Sequence, residues 1–539
     1  MNPISFFKHY QFYITPISPI HMGNGEDFEP INYVLDYDEN VLYGFDPSHI
    51  KLPEIKRNEL LDLVNSANPS IASIQRFFYT IKDKAKKQAN YLTLVSRAVK
   101  DDFEKKIGKE VNPGVEDNIY NQLQIERTSY HPMSHLPFIP ASGFKGAWMT
   151  AILDYLSKKD GVKKINDPQV QDQALKKHYL GDFGEGIGVL LKPADFNATS
   201  MNAQTKVQYI VNRSKKDSKA DMPAGIPIRR ECIESGQYRA FSGEVVHYDH
   251  PKKQSHPSQK RSFNEMVRMC NVYYRRCFDE EYKFLVNQSY IDQNWLKSVK
   301  SLLKNLNQAF DNAEMMLIRL GRNTGAESKT YSDKSMRQIE VKTGKNTFEK
   351  LDHTTSIWLA SDKGRTGNHS TLPLGWAIVE INPSEENSLL ASWSLEHAPK
   401  VFLDREKIMT ERREQQQQER ENAQRQEAER LAREAEENAM KAEREKMQAS
   451  LNEHQKSVYE LKIKFEDATE VQMYTNSPLF KEFQTLLAQA TAPDSTWTAE
   501  DKAFMAEQLT YQLMIKKAVK FQGMNERDFR KKFTNKLKN

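Results

Sequence analysis

Residues 138–153 read FIPASGFKGAWMTAIL. A short apolar run closed by proline gives way to small residues, and these give way to apolar positions at helical spacing. That order describes a strand, a turn at Ser142-Gly143, and an amphipathic helix continuing through DYLSKK. Small residues ahead of a helix leave backbone N–H groups open, and the positive end of the helix favours an anion there. Lys145 falls in the first turn, where its charge opposes the helix dipole unless an anion lies nearby. Gly146 follows it. The competing reading has Ser142-Gly143 merely starting the helix and Lys145 solvated. Sequence leaves both open.

The same succession of strand, glycine-bearing turn, helix and strand occurs twice, once before residue 190 and once after it. Strands interleaved with helices and long insertions predict an α+β core of two modules. In the first, residues 9–46 read as β, with YVLDY and VLYGF flanking the Asp38-Glu39-Asn40 turn as a hairpin. Residues 54–108 read as mostly helical. In the second, IPIRRECI and YRAFSGEVVHY read as strands joined by a turn at Ser235-Gly236. Helices are expected over 262–286 and 293–312, then strands at TTSIWLA and LPLGWAIVEI.

A second glycine-bearing stretch, LGRNTGAESKT at 320–330, looks like a phosphate loop of a nucleotide hydrolase. That loop requires Gly, four residues, then Gly-Lys-Ser/Thr. Counted back from Lys329, the two glycine positions hold Ser328 and Asn323, so the motif is out of register. Arg319, Arg322 and Lys329 still offer phosphate partners, and Gly321 and Gly325 permit tight turns.

Composition sets limits on the whole. The 539 residues imply about three to four domains. Charged residues make up 28% and the net charge is +5, so the distribution of positive charge matters more than its total. Cys232, Cys270 and Cys277 lack CxxC spacing, which predicts neither a disulfide framework nor a zinc site. No apolar run is long enough for a membrane span, the N-terminal stretch lacks the pattern of a signal peptide, and a cytoplasmic setting is expected. His131 and His135 have i,i+4 spacing but are bracketed by prolines and lack the glutamate of a zinc helix. His21, in PIHMGNGED with Gly23 and Gly25, could serve as a general base; a histidine closing a strand is more often structural. No metal or cofactor is expected.

Basic stretches at Arg213–Lys216, Arg229-Arg230 and Lys252–Arg261 bracket the expected hairpin with Tyr238 and Phe241. Cations interleaved with aromatics suit single-stranded nucleic acid. Residues 404–464 are rich in Glu, Arg, Gln and Ala without glycine or proline, and predict a long charged helix or weak coiled coil. Residues 466–539 read as a small helical domain ending in a basic tail.

Four stretches together, TPISPIHMGNGEDFEPINYVLD, FIPASGFKGAWMTAIL, IPIRRECIESGQYRAFSGEV, and LGRNTGAESKT with LPLGWAIVEI, resemble the RAMP subunits of type III CRISPR effector complexes. The likeness is greatest to the fifth Csm subunit of the III-A system. It implies two ferredoxin-like modules, here 1–190 with an insertion at 54–108 and 191–400 with a basic hairpin. It implies a non-catalytic subunit that binds crRNA and caps its 3′ end beside a neighbouring RAMP backbone subunit, with target RNA as a further partner. By position, His21, Gly23 and Gly25 match the family's first glycine-bearing loop. Ser142, Gly143, Lys145 and Gly146 match the element that approaches the RNA backbone. Arg230 and Glu231 match a charged pair, with Arg229 beside them, and Gly321, Gly325, Lys329, Thr330, Gly375 and Trp376 match the late glycine-rich signature. Met149 stands where the family has an arginine, and residues from about 404 onward lie outside its pattern. The alternatives are a RAMP-type endoribonuclease using His21, or a scaffold whose C-terminal helix recruits a protein partner.

Overall fold

Phe12 and Ile14, alternate residues of the strand Phe7–Pro16, are completely buried, as the two-residue period of a strand with one face in the core requires. The computed structural model describes residues 6–66, 71–107, 123–160, 162–182, 186–215, 228–248, 260–344, 347–364, 369–468, 477–515 and 524–538. Phe7–Pro16 pairs antiparallel with Phe241–Tyr248 on one side and with Trp376–Ile381 on the other. Leu191–Pro193 and Phe196–Ala198 pair with Phe241–Tyr248, and Met315–Arg319 lies beyond Trp376–Ile381.

In chain order this sheet runs strand 7–16, helix Ala141–Lys159, the short strands at 191–198, strand 241–248, helix Phe263–Leu285 and strand 376–381. In space the order is fourth, first, third, second, all antiparallel. This is the split β-α-β-β-α-β order of a ferredoxin-like module. Helix 141–159 turns Phe144, Trp148, Ala151 and Ile152 inward at three- and four-residue spacing. Helix 263–285 opens with a capping box of Ser262 and Glu265. The two helices meet over the sheet, where Trp148 and Phe263 lie 5.8 Å apart and Phe144 and Phe196 4.6 Å. Trp148 Nε1 donates to the Met266 carbonyl at 3.0 Å. Burying rings of this kind contributes about 2–3 kcal/mol each.

A second sheet runs Gly23–Phe28, Ile125–Thr128, Ile228–Ile233, Thr205–Ser214, Tyr91–Val95, Val41–Gly44, Tyr33–Asp36, with Ser356–Ser361 also paired to Thr205–Ser214. It is mixed: 205–214 runs parallel to 91–95, and 228–233 parallel to 125–128. The expected α+β class is observed, and the 33–44 hairpin forms, with Asn40 at positive φ in its turn.

Three expectations are corrected. The sheets do not divide at residue 190, because strand 7–16 finds its partners at 241–248 and 376–381, and Thr205–Ser214 joins strands of the first hundred residues. Within the expected helical span 54–108, YLTLV at 91–95 is a wholly buried strand; its apolar run is too short for periodicity to decide its type. The Ser235-Gly236 turn makes no hairpin. It carries the chain from the second sheet to the first, since 228–233 pairs with 205–214 and 241–248 pairs with 7–16. Gly236 has φ 76°, and a Cβ there would stand 2.0 Å from the His397 carbonyl oxygen, so the corner is fixed by close packing. Of the basic residues expected beside that hairpin, Lys216, Lys252 and Lys253 lie outside the described residues.

The chain forms two units, Met1–Arg412 and Arg413–Asn539. A helix spans Arg405–Ala449, and Asn452 with Gln455 forms a capping box that opens the next helix, Glu453–Asp467. The long helix expected to 464 therefore ends at 449. The second unit has its own core, including Val458, Leu461, Phe465, Phe480, Phe483 and Phe529. No helix among the described residues is long and apolar enough to cross a membrane, and no group of three or more metal-ligating side chains occurs among them.

Candidate nucleic-acid interface

Where Phe7–Pro16 leaves the first sheet, residues 17–22 cross to the second. Ile20 exchanges backbone hydrogen bonds with Ile233, at 3.0 and 2.7 Å. The Gly375 N–H donates to the Pro19 carbonyl at 2.8 Å, and the Arg322 N–H donates to the His21 carbonyl at 3.0 Å. The Met22 carbonyl accepts from Ser129, both N–H (2.6 Å) and hydroxyl (2.8 Å). The turn is thus stitched to loop 320–330, to the LPLGW segment and to strand 228–233. The methyl of Met22 meets Gly143, where a Cβ would approach it to 2.7 Å. All four stretches singled out from sequence converge here, although more than 350 positions separate the first from the last.

The glycines divide by what surrounds them. Gly321 and Gly375 have φ 89° and 94°, and a Cβ would stand 2.3 Å from the His21 carbonyl oxygen and 2.4 Å from that of Leu320. With Gly143, they permit close approach of one part of the protein to another. Gly25, at φ 86°, and Gly146 face open space, and exposed Gly23 begins the edge strand Gly23–Phe28. The outward pair, Gly25 and Gly146, is what a phosphate backbone could approach, whereas a Cβ at Gly23 would meet His21 Nε2 at 3.1 Å and the Arg322 side chain at 3.3 Å.

The expected cations divide in the same way. Arg229 is buried on Asp102, 2.5 Å away, over the rings of Phe103 and Tyr209. Arg319 is buried on Glu281 at 2.8 Å and over Trp376. Arg230 pairs with Glu126 at 2.7 Å and is also buried. These three hold strands and helices together by charge-assisted hydrogen bonds, which corrects their expected role as phosphate contacts. The sequence shows the arginines but not carboxylates a hundred residues away.

Arg322 and Lys329 remain at the surface. The Arg322 side chain is 58% exposed although it reaches Glu126 at 2.9 Å. Lys329 is exposed and donates to the Gly321 carbonyl at 3.0 Å. Crowding of its ammonium by the protein, and then by Arg319 and Arg322, lowers its pKa from the usual lysine value. Burial pushes the Glu126 carboxyl up, but Arg230, His21 and Arg322 outweigh this and hold it below the usual range. That one carboxylate thus serves two guanidiniums. Sequence reading did not identify it; ERT within a short strand carries no distinguishing signal.

At the start of helix 141–159 the N-cap residue Pro140 offers no side-chain cap, and the Ala141 N–H donates instead to the Asp195 carboxylate at 2.7 Å. Ser142 and Gly143 follow, both exposed. Lys145 turns back to donate to the Gly188 carbonyl at 2.5 Å, and its pKa is lowered by burial and by Lys192. Lys192, exposed beside it, is a cation that the sequence reading overlooked. It follows, by two residues, the glycine-rich sequence GDFGEGIGVL at 181–190.

His21 is buried, and its Nδ1 donates to the Glu231 carbonyl at 2.7 Å. Nε2 lies 3.8 Å from Glu126 and has no hydrogen-bond partner. Burial, and secondarily the charge of Arg230, lowers its pKa to about 4, so the ring is neutral at pH 7 and is sealed from a 2′-hydroxyl. The unfolded chain gains a proton near pH 6.5 while the folded chain resists until about 4. Stability is therefore lost as pH falls through that window, by about 3 kcal/mol in all. A His21→Asn chain, whose amide can still donate to Glu231, is expected to lose less between pH 7 and 5 when urea midpoints are compared.

No protein-family model matches the chain, and no curated protein matches it. Among solved structures, it is similar to a chain in the cryo-EM structure of a Csm-crRNA-target RNA ternary complex of a type III-A CRISPR-Cas system. That match has 15% identity and a TM-score of 0.44, covering 69% of this chain and 100% of that one. It is also similar to the crystal structure of T. onnurineus Csm5, with 14% identity, a TM-score of 0.38, and coverage of 68% and 99%.

Proposed function

We propose that this chain is a non-catalytic RNA-binding subunit of a type III-A CRISPR ribonucleoprotein that holds the 3′ portion of crRNA and caps that end of the complex. The observation that carries this reading is the convergence of the four RAMP-like stretches around the 17–22 turn, with Arg322 and Lys329 exposed at one loop. Exposed cations beside open glycine backbone suit a sugar-phosphate chain, which such contacts position without reading its sequence. The buried, neutral His21 is unsuited to the endoribonuclease alternative, because a general base must reach the proton it removes.

Filter binding of single-stranded RNA across a salt series tests the reading. Affinity is expected to fall steeply with salt. Arg322→Gln with Lys329→Gln is expected to lower the slope by roughly 1.4, at about 0.7 per phosphate contact. A flat response in the unaltered chain would sink the proposal. Metal-independent cleavage of labelled repeat RNA, lost in His21→Asn, would replace it with the enzymatic reading.

A second role concerns the helix Arg405–Ala449, whose side chains from 413 to 443 are all exposed. Its ion pairs join Arg430 to Glu427 and Glu434. Such a helix offers a surface to a protein partner, and a chain ending after Arg412 is expected to keep RNA binding while losing that partner in pull-downs.

A further inference from the structure

Beside loop 320–330 the first unit holds a groove of about 770 Å³. Its floor is formed by the ends of strands 205–214 and 356–361, and its walls by residues 323–326 with Lys329 and by strand Ile339–Lys342. Asn212 and Trp358 are direct cross-strand partners in the floor, so their side chains lie next to one another on the same face. Asn323 enters from the loop at φ 58°, a left-handed conformation that asparagine tolerates better than most residues.

Two observations mark the groove as built for a ligand. The Oδ1 atoms of Asn212 and Asn323 are both buried and both lack a hydrogen-bond partner. Buried acceptors in native proteins are almost always satisfied, and each exception calls for a reason. Trp358 is also unlike the other tryptophans. Trp148, Trp295, Trp376, Trp393 and Trp497 are buried, whereas Trp358 is half-buried and lines the groove. An indole, two asparagines whose amide oxygens have no hydrogen-bond partner, and Lys329 therefore line one cavity.

We propose that this groove is a subsite for one unstacked nucleotide, with its base on the Trp358 ring, its exocyclic amine donating to the amide oxygens of Asn212 and Asn323, and its phosphate toward Lys329. Aromatic rings stack on any base, while amide oxygens accept from the amines of adenine, cytosine and guanine. Uracil has no exocyclic amine. The proposal rests on the RNA-binding reading above and adds to it a preference among bases, which phosphate contacts alone do not supply.

Tryptophan fluorescence of the full chain, titrated with AMP, CMP and UMP, tests the subsite. Because the other five indoles are buried, quenching reports Trp358. AMP and CMP are expected to quench saturably, and UMP to bind about 5-fold or more weakly. Asn212→Leu with Asn323→Gly is expected to remove that preference. Trp358→Phe should abolish quenching while calorimetry still detects AMP, because a phenyl ring also stacks. Absence of saturable quenching, or full quenching in Trp358→Phe, overturns the subsite. A chain that binds RNA with a steep salt slope but ignores all three monophosphates overturns the subsite alone. One that takes the monophosphates but shows a flat salt response overturns the RNA-binding reading and leaves the subsite standing.

Discussion

A Gly321→Ala chain is expected to lose about 3 kcal/mol of stability and most of its RNA affinity together. Two costs combine at this position. The backbone holds φ 89°, where an L side chain is strained by roughly 1–2 kcal/mol. The added Cβ would also stand 2.3 Å from the His21 carbonyl oxygen, and a backbone atom cannot swing aside as the end of a side chain can. Relief requires loop 320–330 to withdraw from the 17–22 turn, breaking the bond from the Arg322 N–H to that same carbonyl. Arg322 would then leave the surface it shares with Lys329. Gly325→Ala is the matched control: φ is 77°, but the new Cβ would meet only the Glu327 carboxylate, at 3.3 Å. It should pay the backbone strain of about 1–2 kcal/mol without parting the two segments. Urea midpoints and RNA binding of both chains measure the difference. Equal effects would mean that the contact between loop and turn is not what organises the surface.

The inward role of Gly321 shows what the sequence could and could not convey. Residue type and spacing identified the glycine-bearing stretches, the helix after Ser142 and the hairpin at 33–44, because those signals are local. Which side of a glycine faces solvent is not local. Gly25 and Gly321 look alike in sequence and share a positive φ, yet one faces open space and the other the carbonyl of a residue 300 positions away. The arginines follow the same logic. Arg229 and Arg322 are equally plausible phosphate ligands by type, and only the fold sets Asp102 against the first and leaves the second at the surface. Topology was hidden for a related reason. IPIRRECI and YRAFSGEVVHY satisfy the pattern of a hairpin, but each has a better-matched partner elsewhere, and the carbonyl of His397 holds the corner between them. The groove at Trp358 was also out of reach, since Asn212 and Trp358 become neighbours only through strand register.

An Arg405→Met chain is expected to lose about 3–5 kcal/mol, although Arg405 opens a helix that is otherwise nearly all solvent-exposed. Its guanidinium is buried and donates to the carbonyl of Leu92 through Nε (3.1 Å) and Nη2 (3.0 Å), to the Thr205 hydroxyl at 3.0 Å, and to the Ala203 carbonyl. Burial lowers its pKa, and the nearby Tyr91 and Glu231 oppose that shift. Methionine fills much of the volume but donates nothing, which leaves two main-chain carbonyls unpaired at about 1–3 kcal/mol each. Arg405→Lys retains the charge but not the planar fork, and should fall between the two. Arg413→Met, at an exposed position, should stay within about 0.5 kcal/mol of the unaltered chain. The consequence for dissecting the molecule is direct. Arg412 also belongs to the first unit, donating to the Ala89 carbonyl at 2.6 Å. A chain cut at 403 removes both arginines, whereas one cut after 412 keeps them. The 1–412 chain is expected to unfold in urea as a cooperative unit, and the 1–403 chain at a clearly lower midpoint. Equal midpoints would show that this first turn of the helix contributes nothing to the unit into which it is inserted.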